Sequence, residues 1–286
     1  MKSFVFSDMD TSFQCYEQFA QFYQTAKGWI FDDIKITLNN WFGANMSAVL
    51  GGILDKIAGT NQISIESNND KVLEILKKNG FLSGYGYQSI IDANNTTVPF
   101  LKLKSTESRY FHFYVTNELL GKTAFPAMSP QLRRKISESI YEIFVNAQMH
   151  SGTDYIYSCG QFYPTKHKIE FTIVDTGIGF KNKINSSFGV HMNAVQAIKW
   201  ATTEGHSTKE DVPGGIGLAL LKEFIKMNNG KFQIVSDNGF FETTAQSENA
   251  RFLSFPFPGT IVNMQFRTDD TNSYQLASQV NLNDIL

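Results

Sequence analysis

The chain has 286 residues, 42% of them apolar, enough for one large or two ordinary domains with real cores. Its 25 basic residues against 27 acidic ones give a formal charge of −2, which excludes a global basic field for nucleic acid or an acidic membrane surface. Only Cys15 and Cys159 occur, so neither a disulfide framework nor a thiolate metal site is suggested; no apolar run approaches the roughly 18 residues of a membrane span and Met1 to Asp10 lacks a basic-then-apolar leader, so the expectation is a soluble protein of the reducing cytoplasm.

An aromatic-rich opening (Phe13, Tyr16, Phe19, Phe22, Tyr23) leads into Asp33 to Leu38, where Ile34, Ile36 and Leu38 alternate inward as a strand. Met46, Val49, Leu50, Ile53, Leu54 and Ile57 then fall at helical spacing, with Gly59 as the stop. Ile63 to Ser67 reads as a short strand and Lys71 to Lys78 as a helix ended by Asn79-Gly80. Strand, helix, strand, helix in this order predicts parallel pairing, hence a small α/β module over 1–98. Ser83 to Pro99, rich in Gly, Asn, Thr and Tyr, reads as its linker.

A second unit is expected over 99–267. Alternating apolar residues from Phe100 to Val115 suggest strands. Ser129-Pro130 is a helix start, serine as N-cap and proline at the first helical position, and the helix runs to about Ser151 with Leu132, Ile136, Ile140, Ile143, Phe144 and Ala147 as its buried stripe. Tyr155 to Phe162 and Lys168 to Asp175 form an antiparallel hairpin around Tyr163-Pro164-Thr165-Lys166. The polar stretch Phe180 to Pro213 suggests a lid, with one helix at Val190 to Ala201. A helix at Leu218 to Met227, strands at Lys231 to Ser236 and Thr260 to Phe266, and a polar tail over 268–286 complete the chain.

Three stretches carry chemistry. On the long helix Glu138, Glu142, Asn146 and His150 are successive i, i+4 neighbours, a polar stripe that faces either water or a ligand. Asp175 ends an apolar strand and is followed by Gly177 and Gly179, which allow a tight turn and close approach of a ligand to the backbone. Gly214-Gly215-Ile-Gly217-Leu218 puts glycines at a helix start, where free N–H groups and the helix dipole favour phosphate.

In this order, Glu142-Ile-Phe-Val-Asn146, Asp175-Thr-Gly177-Ile-Gly179 and Gly214-Gly215-Ile-Gly217-Leu218 resemble the N, G1 and G2 boxes of the GHKL ATPase superfamily, which includes gyrase B, heat-shock chaperones, MutL, sensor histidine kinases and anti-sigma-factor serine kinases. The resemblance covers about Ser129 to Phe266, including Gly259-Thr260 before the last strand. It implies a two-layer α/β sandwich of the Bergerat type that binds ATP and Mg2+. By that resemblance Asn146 is the Mg2+ ligand and Glu142 the carboxylate that polarises the attacking water. Asp175 accepts from the adenine amino group, with Thr260 assisting through water, and Gly177 and Gly179 lie against the base. Gly215 and Gly217 cradle phosphate, Leu218 packs beside them, and His150 stands near the phosphates or simply meets the helix dipole. Lys181, Lys209 and Ser207-Thr208 would approach the terminal phosphate from the lid, if they are not solvated loop residues.

The module over 1–98 resembles a STAS domain in the order and size of its elements. It lacks a clear acceptor-serine context, although Ser47 at a helix start is a weak candidate. A histidine kinase requires a helical hairpin bearing its acceptor, whereas His112 lies in the segment read as strand, so histidine autophosphorylation is not expected. The expected function is a Mg-dependent ATPase of the histidine-kinase-like type whose lid switches a protein-interaction surface. The alternatives are a protein-serine kinase of the anti-sigma type, acting on a partner or on its own N-terminal module, and a non-hydrolysing ATP/ADP sensor. Nucleic acid is not indicated, no membrane is expected, and a homodimer stays open.

Overall fold

The computed structural model describes residues 1–203 and 216–276, without the side chains of His150 and Ile216. It is mixed α/β, built on a three-stranded parallel sheet and a five-stranded antiparallel one. No described helix is long and apolar enough to cross a membrane.

The first sheet has the order β1 (Lys2–Phe6), β2 (Asp33–Leu38), β3 (Gln62–Ser67), all parallel, with Phe4 opposite Ile36 and Ile36 opposite Ile65. Between and after these strands lie α1 (Phe13–Ala26), α2 (Ser47–Ala58) and α3 (Asp70–Lys78). Alternation along β2 sends Ile34, Ile36 and Leu38 inward and leaves Lys35 and Thr37 outward, where both meet Glu66, Lys35 at 2.8 Å as an ion pair and Thr37 at 3.1 Å as a donor. That polar outer face explains how a parallel sheet here keeps one side uncovered. α3 starts on Asn69, whose side chain accepts from Lys71 N, carries Asp70 in its first turn and Lys77 and Lys78 in its last, and stops at Gly80 with φ +81°.

The second sheet has the order β4 (Thr97–Lys104), β5 (Tyr155–Tyr163), β6 (Lys168–Asp175), β8 (Glu248–Arg267), β7 (Lys231–Thr244). Its two faces feed two cores. Ile169, Phe171 and Ile173 of β6 pack with Ile136, Ile140 and Phe144 of α5 (Pro130–His150), which has α4 (Ser108–Tyr114) and α8 (Ile216–Met227) beside it. Tyr157, Cys159, Val174, Val235 and Ile261 face the other way, into a core shared with Phe19, Phe22, Val49 and Leu50 of α1 and α2 and with the inward residues of β1 to β3. α1 and α2 are therefore the filling between the two sheets.

Polar contacts fix the register of that filling. Asn45, fully buried before α2, donates to Thr172 Oγ1 at 3.0 Å and Asn263 Oδ1 at 3.4 Å, while Ala44 N donates to Gln161 Oε1 at 2.6 Å. Thr11 donates to Glu170 at 2.9 Å, and Gln233 Nε2 reaches Thr11 O at 2.8 Å. Such a satisfied network specifies one docking geometry, since any slip would leave several buried groups unpaired.

The helix from Ser129 forms as its sequence predicts: Ser129 Oγ accepts from Leu132 N at 3.2 Å, Pro130 is the first residue, and the whole predicted apolar stripe is buried. Several other expectations are corrected. α1 occupies the aromatic opening and β1 precedes it, where no element was assigned. β4 ends at Lys104, and the residues after it, expected to be strand, form α4 and a π-turn at Val115–Leu119. Phe111, Tyr114 and Val115 bury at helical spacing, and Phe111 stacks on Phe144 with centroids 4.5 Å apart, a contact a strand would not allow. His112 thus sits exposed on a seven-residue helix, edge-on to Tyr141, inside the helical layer of α5. The helix expected at Val190 to Ala201 is α7 (Ala194–Ala201), and α6 (Gly179–Phe188) precedes it where no element was assigned. Strands β7 and β8 continue well past Ser236 and start well before Thr260, through a bulge at Asp237 with φ +53°.

Candidate functional site

β6 ends at Asp175 on the face that also carries Ile169, Phe171 and Ile173, beneath α5 and α8. Its partner on β8 is Thr260, whose partner on β7 is Ser236, so three adjacent strands contribute to one row of buried polar side chains. Ser236 Oγ lies 3.1 Å from Thr260 Oγ1 and accepts from Phe180 N at 2.9 Å, which ties the row to the start of α6. Asp175 Oδ1 accepts from Gly177 N at 2.9 Å. Burial pushes the Asp175 carboxyl up to about 6, against the pull of the Gly177 N–H, the Thr260 hydroxyl and the Lys56 charge.

The glycines are where backbones meet. A Cβ at Gly177 would collide with Ser151 at the end of α5, and Ile178 N donates to Ser151 O at 2.9 Å. Gly179 has φ +73°, with Ser236 Oγ 2.8 Å from where its Cβ would stand. Gly259, φ +129°, has no room for a Cβ because the Asp175 carbonyl is there. At the start of α8 a Cβ on Gly217 would collide with Glu142 Oε2, and Leu218 is buried behind it. α5 therefore meets the turn after β6 at its end and the first turn of α8 at its middle.

Glu142 and Asn146 are half-buried one turn apart on α5, and neither side chain has a hydrogen-bond partner among the described residues. Both carry oxygen donors free to engage a ligand. Glu138 is more exposed and pairs with Lys135 at 2.9 Å, which separates it from the stripe's other members. Among the described residues no group of three or more His, Cys, Asp or Glu converges on a metal position, so a hard divalent ion here would rely on an amide oxygen such as that of Asn146, with the remaining ligands from phosphate and water.

Other sequence candidates are placed elsewhere or lie outside the described residues. Lys181, read as either a solvated charge or a phosphate contact, pairs with Asp237 at 2.8 Å. Ser47 is fully buried and accepts from Asn79 Nδ2 at 3.0 Å, so it offers no exposed hydroxyl. Gly214, Gly215, Ser207, Thr208, Lys209 and the side chain of His150 are outside the description. Sequence reasoning missed Ser236 and Ser151. Parity with Phe232 and Ile234 puts Ser236 on the site face and was readable; the clasp of Ser151 on Gly177 and Ile178 is purely tertiary.

No protein-family model matches the chain, and no curated protein matches it.

Proposed function

We propose that the chain binds Mg2+–ATP at the junction of α5, the turn after β6 and α8, and hydrolyses it, in the manner of a GHKL ATPase. In this reading the five-stranded sheet with α4, α5 and α8 is a Bergerat-type domain and the parallel three-stranded part is STAS-like. The observation that supports it is that α5 touches both other stretches: its end clasps Gly177 through Ser151 and its middle meets Gly217 through Glu142, so the helix bearing Glu142 and Asn146 is flanked by the turn after Asp175 and by the first turn of α8.

Asp175, poised by Gly177 N–H and Thr260, accepts from the exocyclic amine of adenine and so selects against guanine. The Asn146 oxygen holds the cation, and Mg2+ when bound neutralises phosphate charge. Glu142 takes the proton of the attacking water as general base. The buried state of Ser47 removes the N-terminal module's serine candidate as phosphoryl acceptor, which leaves water or a serine on a partner.

Calorimetry with Mg2+ and ATP tests the site. Asn146→Ala and Asp175→Asn each lower affinity by about tenfold or more, the scale of a lost charge-assisted hydrogen bond or ligand; unchanged affinity in both sinks the site. Glu142→Ala binds ATP as the parent does and loses on the order of 100-fold in phosphate release. With gamma-labelled ATP and cell extract, free phosphate supports hydrolysis, label on a protein band supports a kinase, and neither supports a sensor.

A further inference from the structure

Thr176, between Asp175 and Gly177, belongs to the opposite face of the sheet from Asp175, together with Val174. There it meets α2. A Cβ on Gly52 would stand 3.0 Å from Thr176 Cγ2, 3.3 Å from Tyr157 Cδ2 and 3.4 Å from Val174 Cγ1, so the bare glycine backbone is the surface against which this turn rests. The hydroxyl of Thr176 lies 3.3 Å from that of Thr153, and Gly177 is pressed on Ser151. The turn is gripped between α5 in front and α2 behind.

α2 itself has little freedom to retreat. Its head is tied to the sheet by Ala44 and Asn45. At its middle Asp55 accepts from Tyr157 OH at 2.6 Å and pairs with Lys102 of β4. Beside Gly52, a Cβ at Gly51 would stand 2.8 Å from Cζ of Phe100 on β4, so the helix is also closely seated on that strand. An atom added at Gly52 presses on the Thr176 methyl, so Thr176 and the turn that carries it must shift by a few tenths of an ångström.

We propose that α2 is the rear wall of the adenine-reading turn: the Gly52–Thr176 contact sets the position of Asp175, making Gly52 and Thr176 positioning residues for nucleotide binding. This rests on the nucleotide reading above. The first module is then a built-in part of the site, and any movement of α2 changes affinity for the base.

The test uses the full chain with Gly52→Ala, Thr176→Ser and the double variant, measured by calorimetry with ATP and ADP and by thermal unfolding, alongside Asp175→Asn. Gly52→Ala is expected to weaken ATP and ADP by the same factor, about tenfold, because the two share the adenine ring. Its Tm should hold, since alanine favours the helix. Thr176→Ser keeps the hydroxyl and removes the methyl, so the double variant is expected to return within about twofold of the parent. Unchanged affinity in Gly52→Ala, with Asp175→Asn weakened, overturns the positioning role and leaves the nucleotide site standing. A loss in Gly52→Ala that Thr176→Ser does not relieve and that comes with a lower Tm also overturns it, as general loosening. If Asp175→Asn binds as the parent does, the nucleotide reading fails and the inference with it.

Discussion

Asp175 is held where ionisation is costly, at a strand end with a buried flank, and three groups only partly offset that cost. Its pKa stands at about 6 against an ordinary 3.8, so between these values the folded chain binds more protons than the unfolded one. Its contribution to stability is accordingly greatest below about pH 4 and is lost as pH rises through about 6, a difference of roughly 3 kcal/mol at most. Asp175→Asn removes that term, so thermal melts should show the variant gaining on the parent as pH rises from 5 to 8; parallel pH profiles would rule out the buried ionised carboxylate. On the nucleotide reading proposed above, ATP affinity of the parent should fall below about pH 6 as the acceptor becomes protonated. The place of Asp175 at a strand end was legible from an apolar strand followed by Thr-Gly, whereas its raised pKa was not, because its burial comes only with the tertiary fold.

Elements that state their own ends were read correctly. α5 has a serine cap, a proline start and a 3.6-residue apolar period, and α3 has an asparagine cap and a left-handed glycine stop. The segment after β4 misled because its run of aromatic residues satisfies alternation and helical spacing alike, and stacking of Phe111 on Phe144 decides between them. β7 and β8 outlast their local signal for a similar reason. Asp237-Asn238-Gly239 reads as a turn, but Phe240 packs on Phe13 and Tyr16 of α1 at centroid distances of 5.2 and 5.8 Å, so the chain bulges and continues as strand. Phe144→Ala is expected to lower unfolding free energy by about 3–5 kcal/mol in a denaturant titration, as for other fully buried phenylalanines. A loss under about 1 kcal/mol would mean that α4 does not pack there as described.

At the scale of the whole molecule, one core runs from the parallel sheet through α1 and α2 into the second sheet, and buried Asn45, Thr172, Asn263 and Gln233 stitch it polar group to polar group. The first 98 residues and the sheet that follows should therefore unfold together. Denaturant titration followed by far-UV dichroism and by the fluorescence of Trp29 and Trp41 in a Trp200→Phe background is expected to give coincident single transitions. Two separated transitions would contradict the shared core.

By itself the sequence determined the parallel unit, the long helix, the central hairpin and the three glycine- and acid-bearing stretches, because periodicity, caps and turn residues are local and leave their mark over a few positions. Tertiary structure alone decided that α1 and α2 lie between two sheets, that Gly217 abuts Glu142, that Ser236 joins Asp175 and Thr260 in one row, and that Gly52 backs Thr176. Those contacts join residues far apart in the chain, and a glycine's missing Cβ acquires meaning only when the atom that would strike it is known.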